Sequence, residues 1–153
     1  MDHYLVSCSY GKLPSKSDLK KTFTGGVSDI FDGRAWKKYS LRVRADERPG
    51  NRIMVLEHFG CEMESEDVIA WGFDNNLVPA MGHNEGLDFH MVNPRLCLDG
   101  PIVSLGSFAL YGNEGRGVAV LDARDDGRLW LAGRWSDGGW HSGCRFLFVT
   151  SSG

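Results

Sequence analysis

The sequence predicts a β-rich α+β fold: a largely antiparallel sheet curled toward a barrel or a sandwich, with one or two short N-terminal helices and a C-terminal three-stranded meander. Three observations lead there. Glycine supplies 20 of the 153 residues, mostly beside Asp, Asn or another Gly, which is the composition of positive-φ turns. Short apolar segments lie between those turns, several alternating with polar residues at the period of a half-buried strand. In the last third, DDG (125–127) and SDGG (136–139) divide three apolar-rich segments, 118–124, 128–135 and 140–150.

The elements follow in order. YLVSC (4–8) reads as a first strand. After Pro14, Ser17 can cap a short helix over 18–24, with Leu19 and Phe23 one turn apart, and Gly25 and Gly26 stop it. SDIFDGRAWKK (28–38) is ambiguous, because Ser28 suits a cap while Gly33 weakens a helix interior. Tyr39, Leu41, Val43 and Ala45 alternate with polar residues as a strand; ERPGN turns the chain, and RIMVLEHF (52–59) returns as a strand covered on both faces. Residues 66–78 read as strand and turn, although the acidic residues after Ser65 also permit a helix. Residues 87–93 and 102–111 are further strand candidates.

Two unbulged hairpins in the last third would pair 122 with 130, 135 with 140 and 130 with 145. Strand alternation then fixes both faces. One carries Ala119, Leu121, Ala123, Leu129, Leu131, Trp135, Trp140, Cys144, Phe146 and Phe148 and is a core face. The other sets Trp130 between Asp122 and Arg145, with Arg124, Arg128 and Arg134 nearby and His141 opposite Arg134. Arginine forks suit carboxylates and phosphates, and Trp adds a broad contact surface; both types recur at binding hot spots. Trp130, Arg128, Arg134, Arg145, Asp122 and His141 are therefore the expected binding residues, for an anionic small ligand or an acidic protein patch.

Composition narrows the classes. A 17.0 kDa chain with 42% hydrophobic and 24% charged residues has ordinary globular usage, so residues 1–153 read as one domain. Folding at that mass leaves about 7,700 Å² exposed out of about 25,000 Å², enough burial for a core. No apolar run approaches the ~18 residues of a membrane span, and MDHYLVSCSYGKLP lacks the basic and apolar regions of a signal peptide. The expectation is a soluble, cytoplasmic protein with no membrane partner. Cys8, Cys61, Cys97 and Cys144 have no CxxC spacing and read as small buried hydrophobes in a reducing compartment.

The net charge of −3 is unevenly spread: residues 12–52 carry eleven Lys and Arg against five acids, and 53–99 carry one Arg against nine acids. Lys16, Lys20, Lys21, Lys37 and Lys38 in the basic segment form an alternative nucleic-acid surface, which the net negative charge and the absence of an RNA-binding aromatic motif weigh against. A second alternative is a small metal-dependent enzyme built on HNEGLDFH (83–90), whose His83, Asp88 and His90, with Glu85, are ligand types for zinc, iron or manganese. The spacing is not HExxH, and PRLC (94–97) stands where a zinc deaminase requires PCxxC.

No complete catalytic set emerges: GxSxG is absent, and His58 and Cys61, like His141 and Cys144, lie three apart, which places them on opposite sides of a regular strand. GNEGRG (112–117) is followed by a strand pattern, so it does not read as a phosphate loop. Residues 112–131 resemble the central sheet of bacterial toxin-immunity proteins over about 20 residues. That fold finishes on a helix for which no room is read after Thr150, and no family is assigned. A binding domain without a cofactor is the expected function, and an exposed apolar sheet edge would also suit a homodimer.

Overall fold

The computed structural model describes residues 2–39, 47–110 and 115–150. The expected alternation over 39–46 therefore falls, from residue 40 onward, outside the described residues, as do residues 112–114 of the glycine-rich stretch.

The described strands are β1 (Asp2–Cys8), β2 (Gly26–Val27), β3 (Trp36–Lys38), β4 (Gly50–His58), β5 (Leu77–Pro79), β6 (Ile102–Leu110), β7 (Arg116–Ala123), β8 (Leu129–Trp135) and β9 (Arg145–Thr150). They form one open sheet in the order β1-β4-β9-β6-β7-β8-β2, with β3 beside β6 and β5 beside β9. The sheet is mixed: β6 runs parallel to β9, and β2 parallel to β8, whereas the other pairings are antiparallel. It does not close into a barrel. The fold is thus a strand-rich α+β arrangement whose helices are α1 (Lys16–Thr22), α2 (Ser65–Asp74) and α3 (Glu85–Val92).

Both faces of the sheet are apolar. Leu19 and Phe23 from the α1 region, Ile30 and Phe31 from a 3-10 turn, and Leu87 and Phe89 of α3 bury one face with Leu121, Leu131, Leu147 and Val149. On the other face, Val68 and Ile69 of α2 pack with Val103, Val118, Val120, Phe146 and Phe148.

Several local expectations need correction. The first helix is capped by Ser15, whose hydroxyl accepts from the Asp18 N–H, rather than by Ser17, and it begins two residues earlier than read. Ser28 caps a single 3-10 turn over Asp29–Phe31, which resolves the ambiguous stretch. Residues 65–74 are helical: Glu66 and Asp67 occupy a first turn that favours negative charge, and Val68, Ile69 and Gly72 recur at helical spacing on the buried side. Residues 87–93, read as a strand, belong largely to α3, with the Asn84 side chain capping its start. Helix α3 is buried on several sides, and such an element carries little periodicity to read.

The C-terminal meander is the main correction. Its first hairpin forms as derived, with Asp122 opposite Trp130 and Ala123 opposite Leu129. The second does not form. Strand β9 is separated from β8 by β6 and β7 and lies between β4 and β6. The cause is its composition: Phe146 and Phe148 enter one core while Leu147 and Val149 enter the other. A strand apolar on both sides belongs in the interior of a doubly covered sheet, not at its margin. Residues 136–144 therefore cross over, pinned where Met63 and Trp140 exchange backbone hydrogen bonds of 3.1 and 2.8 Å. Consequently Trp140, Cys144, Phe146 and Phe148 do not share a face with Leu129 and Leu131, and Trp135 is 45% exposed rather than in the core.

Strand β6 changes partners at Gly106, whose N–H donates to the Ala80 carbonyl (2.8 Å) while its own carbonyl accepts from the Tyr39 N–H (3.0 Å). A Cβ there would lie 2.2 Å from the Pro79 carbonyl oxygen and 2.7 Å from the Ala80 carbonyl carbon. These are backbone atoms and cannot swing aside, so Gly106→Ala is expected to lower stability by about 1–3 kcal/mol or more. Urea denaturation measures it, and an unchanged midpoint would contradict so close an approach.

Candidate functional site

The hairpin of β7 and β8 carries the site. Trp130 is half-buried and packs on the second core beside Ala132 and Val120. Its ring lies beneath two guanidiniums: the Arg124 Cζ is 3.9 Å from the ring centroid, and the Arg134 Cζ is 5.7 Å away. Arg124 stands two residues beyond Asp122, the cross-strand partner of Trp130, which places it diagonally over the indole. The Arg124 Nε donates to the Gly25 carbonyl at 2.9 Å. Among the described residues, its two terminal nitrogens make no hydrogen bond and no ion pair. Arg134 approaches Asp122 at 3.7 Å, a loose contact beyond hydrogen-bond range, while the other Asp122 oxygen accepts from the Ala123 N–H at 2.8 Å.

The neighbouring backbone completes the patch. Gly26 pairs in parallel with Trp130 and has φ +131°, a left-handed conformation that favours glycine. A Cβ there would come within 3.3 Å of the indole and 3.4 Å of an Arg124 terminal nitrogen. Bare backbone thus flanks the Arg124 head. The patch presents fixed positive charge over an aromatic ring, with one carboxylate at its border.

The other predicted contacts lie elsewhere. Arg145 is on the opposite side of the sheet, with Leu147 and Val149, and its guanidinium donates to the Leu96 carbonyl and to the Gly100 carbonyl at 3.3 Å. Arg145 therefore does not flank Trp130, since its strand is not the neighbour of β8. Arg128 is turned to its own hairpin, donating to the Asp126 carboxylate at 2.7 Å. His141 belongs to the crossover, where its Nδ1 accepts from the Gly143 N–H at 3.1 Å; it does not oppose Arg134 across a hairpin. Of the expected set, the structure brings together Trp130, Asp122 and Arg134. Arg124, Gly25 and Gly26 lie outside the expected set, although the hairpin register puts Arg124 on this face.

The His83–His90 residues are dispersed. His83 stacks on Trp36, with centroids 5.2 Å apart, and its Nδ1 shares a 2.8 Å hydrogen bond with the Ser107 hydroxyl. That hydroxyl also accepts from the Gly82 N–H and is fully buried, so this serine–histidine contact ties the loop before α3 to β6. Glu85 is buried and accepts from the Met81 N–H at 3.0 Å and the Tyr10 hydroxyl at 2.7 Å, while burial, followed by this hydrogen bond, pushes the Tyr10 pKa up. Asp88 accepts from the Ser9 N–H at 3.1 Å, and burial raises its carboxyl above the usual range. His90 is enclosed beside Phe89, with neither ring nitrogen hydrogen-bonded. Among the described residues no three His, Cys, Asp or Glu side chains converge to hold a metal. A cleft of about 280 Å³ passes His83, Asn84 and Asp88, but its opposite wall is Lys12, Asp18 and Thr22.

The basic segment is partly neutralised: Lys16 pairs with Asp29, Lys21 with Asp18 and Lys38 with Glu47. Cys8, Cys97 and Cys144 are buried as expected, whereas Cys61 is exposed. Burial pushes the Cys97 and Cys144 thiols up, which opposes thiolate formation. Among the described residues no helix is long and apolar enough to cross a membrane.

No family model matches the sequence, and no solved structure matches it. Among curated proteins it is similar to a tRNA (guanine-N(1)-)-methyltransferase of Paracidovorax citrulli (strain AAC00-1), at 25% identity over 107 residues, covering 67% of this chain and 41% of that protein. The chain thus matches about two fifths of that relative's length.

Burial lowers the His90 imidazole to a pKa of about 3, against roughly 6.5 in an unfolded chain. Between those values the unfolded chain binds a proton here that the folded protein does not. Stability therefore rises with pH across this window and falls as pH drops through it. His90→Leu is expected to flatten that dependence by up to about 1.4 kcal/mol per pH unit. Urea midpoints of both proteins through the window test it, and identical slopes would mean that the ring reaches water.

Proposed function

We propose that this chain is a binding domain whose contact surface is the Trp130 patch and whose ligand presents anionic groups. The observation that carries the reading is Arg124: its head is stacked 3.9 Å over an indole and anchored through Nε to Gly25, with both terminal nitrogens unbonded among the described residues. Holding an arginine this way removes much of the rotamer entropy that a carboxylate or phosphate would otherwise have to overcome, up to about 2 kcal/mol for a free side chain. Arg134 is also available, because its contact with Asp122 is long and half its side chain is exposed. The bland reading, that Arg124 merely ties Gly25 to the hairpin, accounts for Nε and leaves the fork unused.

A second reading, nucleic-acid binding, is favoured by the similarity to a tRNA-modifying enzyme and by Lys20 and Lys37, which have no ion pair among the described residues. The ion pairs of Lys16, Lys21 and Lys38 weaken it.

The test follows the Trp130 indole N–H by NMR, assigned with Trp130→Phe, during titration with poly-L-glutamate and, separately, with poly-U. At least one polyanion is expected to move that signal, with the affinity falling about tenfold or more in Arg124→Ala, as for loss of a charge-assisted hydrogen bond. Arg124 is exposed, so the variant should remain folded. An unmoved signal with both polymers would end the proposal.

A further inference from the structure

We infer that the partner of the Trp130 patch is an acidic polypeptide segment, read through spaced carboxylates, and not a nucleic-acid strand. This rests on the anion-binding reading of the same patch. The argument is the state of the indole. Proteins that hold single-stranded nucleic acid offer an open aromatic face on which a base stacks. Here one side of Trp130 packs on the second core, and the Arg124 guanidinium covers the ring at 3.9 Å. Uncovering it would break both the stack and the 2.9 Å hydrogen bond to Gly25. The site offers guanidinium edges where a base would need a ring.

Three further observations fit side-chain carboxylates. Arg124 and Arg134 lie 3.9 and 5.7 Å from one centroid, so their heads are no more than about 10 Å apart; alternate residues of an extended peptide, about 6–7 Å apart, reach both. Gly26 sets no side chain against the Arg124 head, where a Cβ would lie 3.4 Å from a terminal nitrogen. Asp122, at the border of the patch, repels a continuous line of phosphates, whereas a peptide can place a neutral residue beside it.

The experiment compares a 12-residue peptide with glutamate at alternate positions and a 12-nucleotide oligo-U, each titrated at the same salt concentration into the full chain, wild type and Arg124→Lys. The readouts are the Trp130 indole signal and the dissociation constant. The peptide is expected to move the signal and to lose about tenfold in affinity in Arg124→Lys, which keeps the charge but loses the planar fork and the stack. Oligo-U moving the same signal at tighter affinity than the peptide would overturn this inference while leaving the anion-binding reading intact. A Trp130 signal unmoved by both would overturn the two together.

Discussion

Four consecutive residues of β9, Phe146 to Val149, are apolar in both directions, and the rest of the architecture follows from where such a strand can lie. Leu147 and Val149 face the core under α1 and α3; Phe146 and Phe148 face the core under α2. Between β4 and β6 every one of these side chains leaves water, each Phe, Leu or Val contributing on the order of 1.5–3 kcal/mol. Beside β8, one of the two sets would sit at the margin of the sheet. The cost of the interior position is a long crossover. It is offset locally: Trp140 is buried on the second core and bonded through its indole N–H to the Ser65 hydroxyl (2.8 Å), which in turn donates to the Ser136 carbonyl (2.5 Å). The crossover thereby docks the start of α2.

With β9 in the interior, β8 is left near the sheet margin, flanked on its outer side, among the described residues, by the short β2 and the residues adjoining it. That position explains the Trp130 patch. Deeper in the sheet the indole would be covered by another strand's side chains; at a free edge it would have nothing to fix it. Beside the glycines at 25 and 26 it is half-covered, and Arg124 lies over it while bonding to the same glycine backbone. Cation–π attraction of about 0.5–1 kcal/mol at such a site is modest. Its consequence is geometric: the guanidinium is oriented before any partner arrives.

The parts legible in the sequence are those decided locally. The β7–β8 hairpin needed only a turn sequence and alternation, and its register is as derived from DDG at 125–127. RIMVLEHF read as a doubly covered strand, and β4 is one, with Met54 and Leu56 in one core and Val55 in the other. The same reading applied to RFLFVT moves it away from β8: its continuous apolar run, and not the SDGG turn before it, decides its neighbours. A hairpin at SDGG puts Arg145 beside Trp130; the interior position of β9 takes it away. Helix α3 failed for a different reason, since Glu85, Gly86, Leu87, Phe89 and His90 are all buried and leave no exposed stripe to reveal a period. The face of Arg124 is legible but its role is not, because that role depends on the Gly25 carbonyl, ninety-nine positions away along the chain.

The allocation of polar groups fits the proposed binding role. Glu85, Ser107, His83 and Ser65 are of types that often do chemistry, yet each is committed to a structural bond: Glu85 to Met81 and Tyr10, Ser107 to Gly82 and His83, Ser65 to Trp140 and Ser136. Ser65, Glu85 and Ser107 are also buried, so recruiting any of them would leave a desolvated polar group behind, at roughly 1–3 kcal/mol each. Arg124 carries no such cost. One of its nitrogens maintains the fold and the other two make no hydrogen bond among the described residues, so a ligand can engage it without dismantling the contact that positions it. A polar group that is both fixed and unspent is what recognition requires, and in the described structure that combination is found at Arg124 over Trp130.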